Sequence, residues 1–194
     1  MALTREHRWV VLDRDGTLNP EPEDYLRSPE DWVPLPGVLE ALARLHHGGW
    51  RLVIASNQSG IGRGLFDVAT LNAVHARMHK LVAAAGGRIE AVFFCPHAPE
   101  DECTCRKPAP GLLQQISLRT GAPAAQLVVV GDSLRDMQAA LAVGAQPHLV
   151  LTGQSAAYRG AGRPPPGLPE GVTVHDDLAA FADALLSRPN RNPL

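Results

Sequence analysis

The chain predicts an α/β domain built on a doubly wound, mostly parallel sheet, and three observations predict it. Short apolar, β-branched runs recur at residues 9–12, 51–55, 89–94, 127–130 and 148–151, continuous rather than alternating, as strands covered on both faces require. Stretches with apolar residues at helical spacing lie between them, the order that builds a parallel sheet. Polar residues able to do chemistry collect just after the runs, where an open parallel sheet forms its ligand crevice.

The elements follow in order. Trp9, Val10, Val11 and Leu12 form the first strand, which stops abruptly at Asp13, Arg14, Asp15, Gly16 and Thr17. Residues 19–36, rich in proline and acids, read as a loop over the site's mouth. Val38, Leu39, Leu42 and Leu45 share a helical face that Gly48 and Gly49 terminate. The second strand, 51–55, delivers Ser56 and Asn57, and a glycine-rich turn runs from Ser59 to Gly64. Asp67 or Thr70 can cap a long helix carrying Leu71, Val74, Met78, Leu81 and Val82. A third strand at 89–94 opens into the loop 95–111, and helix 111–120 ends at Gly121. Strand 127–130 runs into Gly131, Asp132 and Ser133, followed by a helix with Asp136, Met137 and Leu141. Strand 148–151 precedes a segment, Thr152 to Gly171, that reads as a long surface loop. A short strand and a helix from Asp176 to Leu186 close a single domain of residues 1–187, leaving 188–194 as a flexible tail.

Composition limits the function classes. The 194 residues suffice for one well-buried core. Eighteen basic and twenty acidic residues are interspersed, with net charge −2 and no basic stripe, so nucleic acid is not an expected partner. The N-terminus runs into the first strand without an apolar signal region, and no apolar run approaches bilayer-spanning length. A soluble, cytoplasmic, monomeric protein with no membrane partner is the expectation.

The strand ends offer Asp13 and Asp15, Ser56 and Asn57, Lys107, and Asp132 with Asp136. Such a set suits phosphoryl transfer through a covalent intermediate, since a carboxylate can attack phosphorus and water can then hydrolyse the acyl phosphate. Mg²⁺ held by a few carboxylates would remove the repulsion between carboxylate and phosphate dianion. Lys107 and the Ser56 hydroxyl can stabilise the equatorial oxygens of the transferring group.

All three cysteines lie between residues 95 and 105, an odd number too clustered for a disulfide framework. Cys95, His97, Cys103 and Cys105 make a complete Cys₃His set for tetrahedral zinc with no position left for water, so the ion would be structural. It would pin the loop beside Arg106 and Lys107. The other histidines, His46, His47, His75, His79, His148 and His175, have no such partners in sequence and read as surface or packing residues.

These motifs resemble the haloacid dehalogenase superfamily of phosphatases over nearly the whole chain: Asp13 to Thr17 as its first motif, Ser56 as its second, Lys107 as its third, and Gly131 to Asp136 as its fourth. The resemblance implies a Rossmann-like sheet with Asp13 as nucleophile and Asp15 as general acid, then base. It also implies Mg²⁺ on the Asp13 carboxylate, the Asp15 carbonyl and the Asp132 carboxylate, with Asp136 orienting the site. No long insertion interrupts the predicted sheet, so no large cap domain is expected.

The zinc loop running into Cys105-Arg106-Lys107-Pro108 resembles the branch of heptose bisphosphate and histidinol-phosphate phosphatases. Histidinol phosphatases generally carry an acid where Ser59 stands and lack the Arg63-Gly64 pair, so the heptose side of the branch is implied. That means removal of a C7 phosphate from a heptose 1,7-bisphosphate for surface glycan or lipopolysaccharide synthesis. Asn57, Gln58, Ser59, Arg63, Arg106 and Lys107 are the candidate substrate contacts, the cations suiting a substrate with extra phosphate charge. In two places the chain departs from the family. Ser133 stands where a lysine often follows the fourth-motif aspartate, and the zinc loop between His97 and Cys103 is short. The rivals are a histidinol-phosphate phosphatase, a nucleic-acid 3′-phosphatase sharing the fold, and a non-catalytic, zinc-stabilised phosphosugar-binding protein.

Overall fold

Among the described residues, six strands pair in the order β3-β2-β1-β4-β5-β6, all parallel. They are β1 (Trp9–Leu12), β2 (Arg51–Asn57), β3 (Ile89–Cys95), β4 (Val128–Gly131), β5 (Gln146–Val150) and β6 (Thr173–His175). The structure, a computed structural model, describes residues 8–187, so the tail expected at 188–194 lies outside the described residues. The order reverses between β1 and β4, which makes their carboxyl ends the topological switch point where such sheets bind ligands.

Alternation along each strand sends successive side chains to opposite faces. Val10, Leu12, Leu52, Ile54, Val128 and Val130 pack one way, against α1 (Val38–His47), α3 (Val68–Ala84) and α6 (Leu178–Leu186). Trp9, Val11, Val53, Ala55 and Val129 pack the other way, against α4 (Gly111–Thr120) and α5 (Leu134–Ala142). Burying a side chain such as Leu12 contributes about 1.5–3 kcal/mol, so the double cover fixes the sheet that carries the site.

Local chemistry sets the helix ends. Asp67, the first of the two candidate caps, accepts from the Thr70 amide at 2.7 Å at the start of α3. Gly121 ends α4 in the left-handed region at φ 72°. Within the loop 19–36, Trp32 is fully buried and Leu26 nearly so, while Glu21 to Leu26 line the mouth. The turn after β2 contains one short helix, α2 (Ser59–Gly62). No insertion between the described strands is large enough to form a separate cap.

Two expectations need correction. The segment after Leu151 is not simply a surface loop: Gly153–Tyr158 form a 3-10 helix whose start packs into the site. The remaining histidines are not uniformly bland either. His75 is buried against Arg14, and His148 Nδ1 lies 2.9 Å from His175 Nε2, the two imidazoles stacking on each other and both meeting Phe181 edge-on.

Candidate active site

Asp13 follows β1 and Asp132 follows β4, so the switch point sets two carboxylates side by side at the ends of adjacent strands. Lys107, itself buried, links Asp13 to Asp136. Its Nζ lies 2.9 Å from Asp13 Oδ1 and 2.5 Å from Asp136 Oδ1, and donates to the Ala55 carbonyl at 2.7 Å. Asn57 fixes the lysine's main chain, donating to the Lys107 carbonyl and accepting from the Lys107 amide, both at 3.0 Å. Ser133 donates its hydroxyl to Asp136 Oδ2 at 2.6 Å and its amide at 3.1 Å at the start of α5.

Charge in this cluster is unbalanced. Burial, then Asp136 among its acidic neighbours, pushes Asp13 up to about 7 despite the opposing Lys107. Burial, then Asp13 and Asp136, pushes Asp132 up to about 8. Burial alone would discharge Lys107, but Asp13 and Asp136 outweigh it and hold the ammonium above the usual lysine range. Three carboxylates, Asp13, Asp132 and Asp136, present oxygens within 4.8 Å of one another, while Lys107 supplies a single compensating charge. Asp136 is taken up by Lys107 and Ser133, which leaves Asp13 and Asp132 to share a hard divalent cation. The donor set fits Mg²⁺.

Asp15 is held differently. Its Oδ1 accepts from Arg14 Nε at 3.0 Å and Asn19 Nδ2 at 2.9 Å, and its Oδ2 from Arg14 Nη2 at 2.8 Å and Gln58 Nε2 at 2.9 Å. Burial would raise this carboxyl, but Arg14, then Asn19 and Gln58, outweigh it and hold it below the usual carboxylate range. Gln58 also donates to Ser56 Oγ at 2.7 Å and is buried. Expected as a substrate contact, it is occupied in tying the second motif to Asp15, as Asn57 is with Lys107.

Residues 152–155 form a wall of the site that sequence reasoning did not reach. Thr152 Oγ1 donates to the Gly16 carbonyl at 2.6 Å, the Gln154 amide to Asp132 Oδ2 at 2.7 Å, and Ser155 Oγ to the Asp132 carbonyl at 2.6 Å. A Cβ on Gly153, which sits at φ +46°, would overlap the Asp132 carboxylate and the Gly16 backbone. No local sequence pattern marks these contacts, which span more than a hundred residues in the case of Thr152 and Gly16.

The cysteine loop gathers its four expected ligands. Cys95 Sγ lies 3.2 Å from Cys105 Sγ and 3.5 Å from Cys103 Sγ, and His97 Nδ1 lies 3.5 Å from Cys95 Sγ and 3.3 Å from Cys105 Sγ. These separations are slightly under the ligand–ligand edge of about 3.8 Å that a tetrahedron with Zn–S near 2.3 Å requires, and far too long for a disulfide. Burial, then the neighbouring Cys105 thiol, pushes Cys95 up to about 12, a crowding that a bound cation would relieve. The donors fit zinc. The loop also leans on the turn after β2: a Cβ on Gly62 would stand 2.7 Å from the Pro96 carbonyl.

A cavity of about 480 Å³ opens above Asp13 and Lys107. Arg63 and Arg106 both line it, as expected, and so does Ser59, whose hydroxyl lies 3.2 Å from Tyr25 Oη. Arg63 donates to Tyr25 Oη at 3.2 Å and lies 3.7 Å from Glu100 on the zinc loop, while Arg106 keeps a buried Nη1 without a hydrogen-bond partner. Glu21, Arg135 and Gln154 complete the lining and were not foreseen.

Known proteins match this chain closely. Residues 9–140 match the polynucleotide kinase 3 phosphatase family model and residues 104–181 the HAD-hydrolase-like model. A D-glycero-beta-D-manno-heptose-1,7-bisphosphate 7-phosphatase of Bordetella bronchiseptica is 49% identical over 177 residues, covering 91% of this chain and 97% of that protein. One from Pseudomonas aeruginosa is 48% identical with the same coverage. The crystal structure of D,D-heptose 1,7-bisphosphate phosphatase from B. bronchiseptica, complexed with magnesium and phosphate, superposes with a TM-score of 0.87 at 48% identity, covering 94% of this chain and 99% of that one. The enzyme from Burkholderia thailandensis superposes with a TM-score of 0.71 at 51% identity, covering 93% and 99%.

Proposed function

Because the chain belongs to the haloacid dehalogenase-like phosphatases, in the branch of the D-glycero-D-manno-heptose-1,7-bisphosphate 7-phosphatases, we propose that it hydrolyses the C7 phosphate of D-glycero-β-D-manno-heptose 1,7-bisphosphate. The released heptose 1-phosphate serves nucleotide-heptose synthesis for surface glycans or lipopolysaccharide. The protein is a phosphoric monoester hydrolase, and we read residues 8–187 as one domain acting as a cytoplasmic monomer. No helix among the described residues is long and apolar enough to cross a membrane.

The observation that supports the chemistry most directly is the Asp13–Lys107–Asp136 chain beside Asp132 at the switch point. Asp13 attacks phosphorus, the bond from phosphorus to the C7 oxygen breaks, and Asp15 gives that oxygen its proton. Water then attacks the phosphorus of the aspartyl phosphate as Asp15 takes a proton from that water, and the bond from phosphorus to the Asp13 oxygen breaks, freeing phosphate and Asp13. Mg²⁺ on the Asp13 and Asp132 carboxylates and the Asp15 carbonyl supplies charge neutralisation between the carboxylate and the phosphoryl oxygens. Lys107 and Ser56 donate to those oxygens. In the free enzyme Asp15 is ionised, and a phosphate dianion arriving beside it opposes that charge, so the carboxyl can carry a proton while substrate is bound. Arg63 and Arg106 meet the substrate's remaining phosphate, and Ser59 its hydroxyls. The zinc loop holds this rim.

A nucleic-acid 3′-phosphatase shares the fold, but Glu21, Glu23 and Asp24 make the mouth acidic on one side, a poor track for a polyanion. The test is Mg²⁺-dependent phosphate release from both heptose 1,7-bisphosphate anomers, histidinol phosphate and an aryl phosphate. The β anomer is expected to lead in kcat/KM by at least about tenfold. Faster turnover of histidinol phosphate would replace the assignment.

A further inference from the structure

His75 belongs to no motif and reads from sequence as a surface or packing residue. It is nevertheless 6% exposed, and its Nε2 lies 3.2 Å from Nη1 of Arg14, which is 1% exposed. Arg14 turns its other edge on Asp15, with Nε 3.0 Å from Oδ1 and Nη2 2.8 Å from Oδ2. The fork is thereby held at both ends, by the carboxylate at the site and by the imidazole beneath it. Burial, then Arg14 and His79, pushes His75 down to about 4, so the ring is neutral at pH 7. Since Arg14 can only donate, Nε2 accepts and the ring proton sits on Nδ1.

We propose that His75 is a positioning residue for the hydrolysis: by accepting from Arg14 Nη1 it keeps the guanidinium in the plane of the Asp15 carboxylate and so fixes where Asp15 delivers and collects its proton. Geometry makes the case. A guanidinium held only through Nε and Nη2 leaves Nη1 unheld and free to tilt with the rest of the group, whereas a buried acceptor for Nη1 on a different element restrains that tilt. Partners of this outer kind orient the groups that do chemistry. The proposal rests on the acid and base role given to Asp15 above.

Two substitutions separate positioning from packing. In His75→Gln the amide oxygen takes the place of Nε2, and in His75→Asn a similar polar side chain is too short to reach Arg14. The measurement is the first-turnover rate of leaving-group release from the heptose bisphosphate, a poor alkoxide leaving group, and from an aryl phosphate, which needs little help from an acid. His75→Asn is expected to slow the sugar phosphate roughly tenfold while the aryl phosphate stays within about twofold, with KM unchanged. His75→Gln should restore the sugar rate. Arg14→Lys keeps the charge and loses the fork, and should show the same discrimination should His75→Asn fail to fold. Equal losses on both substrates, no loss, or no rescue by glutamine would each overturn the proposal. Asp15→Asn, run alongside, must itself discriminate strongly against the sugar phosphate. If it does not, the role of Asp15 falls and that of His75 with it, whereas discrimination by Asp15→Asn alone rejects only His75.

Discussion

Two regions of the molecule gather metal-binding groups, and they are held in place by different means. Asp13 and Asp132 stand at the ends of β1 and β4, strands buried on both faces, and the like charges are forced together by the sheet itself. Cys95, His97, Cys103 and Cys105 lie on a loop with one short 3-10 turn, Pro99–Asp101, and only Cys95 ends a strand. The carboxylates are crowded by the paired strands that carry them; the thiols come together on a loop tied to the rest of the chain by contacts such as the Gly62 amide on the Pro96 carbonyl. The difference assigns the regions different work: the sheet positions the reacting groups, and the loop positions the rim that meets the rest of the substrate.

Asp13→Asn is the sharpest way to separate them. The amide cannot attack phosphorus and is a poor Mg²⁺ ligand, so a loss of at least about a thousandfold in kcat is expected. Circular dichroism and zinc content should stay as in the parent protein, at about one zinc per chain. Retained turnover would sink the covalent mechanism.

Cys105→Ser should do the reverse, with a smaller effect. Losing one thiolate loosens the loop that carries Glu100 and leads into Arg106, so KM for the bisphosphate should rise roughly tenfold, the lower end for losing a supporting contact, with kcat for an aryl phosphate little changed. Zinc content should fall in step. An equal collapse of kcat on both substrates would show that the two regions are not separable.

How much of this the sequence disclosed follows the same division. The fold was legible because β-branched runs and helical stripes are local patterns, and the candidate catalytic set because Asp13, Ser56 and Asp132 stand at or just after strand ends, whereas Lys107 lies beyond the cysteine loop and Asp136 within α5. The thiol cluster was legible because all four ligands fall within eleven residues, Cys95 to Cys105. What could not be read depends on distance along the chain. Thr152 reaches Gly16 across 136 residues, His75 reaches Arg14 across 61 and Gln154 reaches Asp132 across 22, each from a position whose local pattern says loop or core. Gln58 and Asn57 line the cavity, but their amides are spent on Asp15, Ser56 and Lys107, pairings that no local pattern announces.

The smallest expected effect, on stability, again falls on one region alone. Asp13 sits at about 7 and Asp132 at about 8 in the folded, metal-free protein, both raised first by burial, against about 4 for an unfolded aspartate. Through these two groups the folded state binds more protons than the unfolded state between about pH 4 and pH 8, so their contribution to stability falls as pH rises through that window, while the lowered His75 works the other way between about 4 and 6.5. The raised value of Lys107 adds stability that is lost only as pH climbs past the ordinary lysine range, so it is silent here. The lowered Asp15 contributes above about pH 4 and stays constant in the window. Mg²⁺ binds the ionised carboxylates and opposes the fall, so the rise in Tm that it produces should be larger at pH 8 than at pH 5.5. The excess should be about 2–4 °C for each kcal/mol of repulsion relieved. Thermal melts of the zinc-loaded protein at the two pH values, with and without Mg²⁺, read the effect directly. An equal rise at both would mean that the cation is held by groups already ionised at pH 5.5, and that Asp13 and Asp132 do not carry the buried, mutually repelled charge that distinguishes their site from the thiol loop.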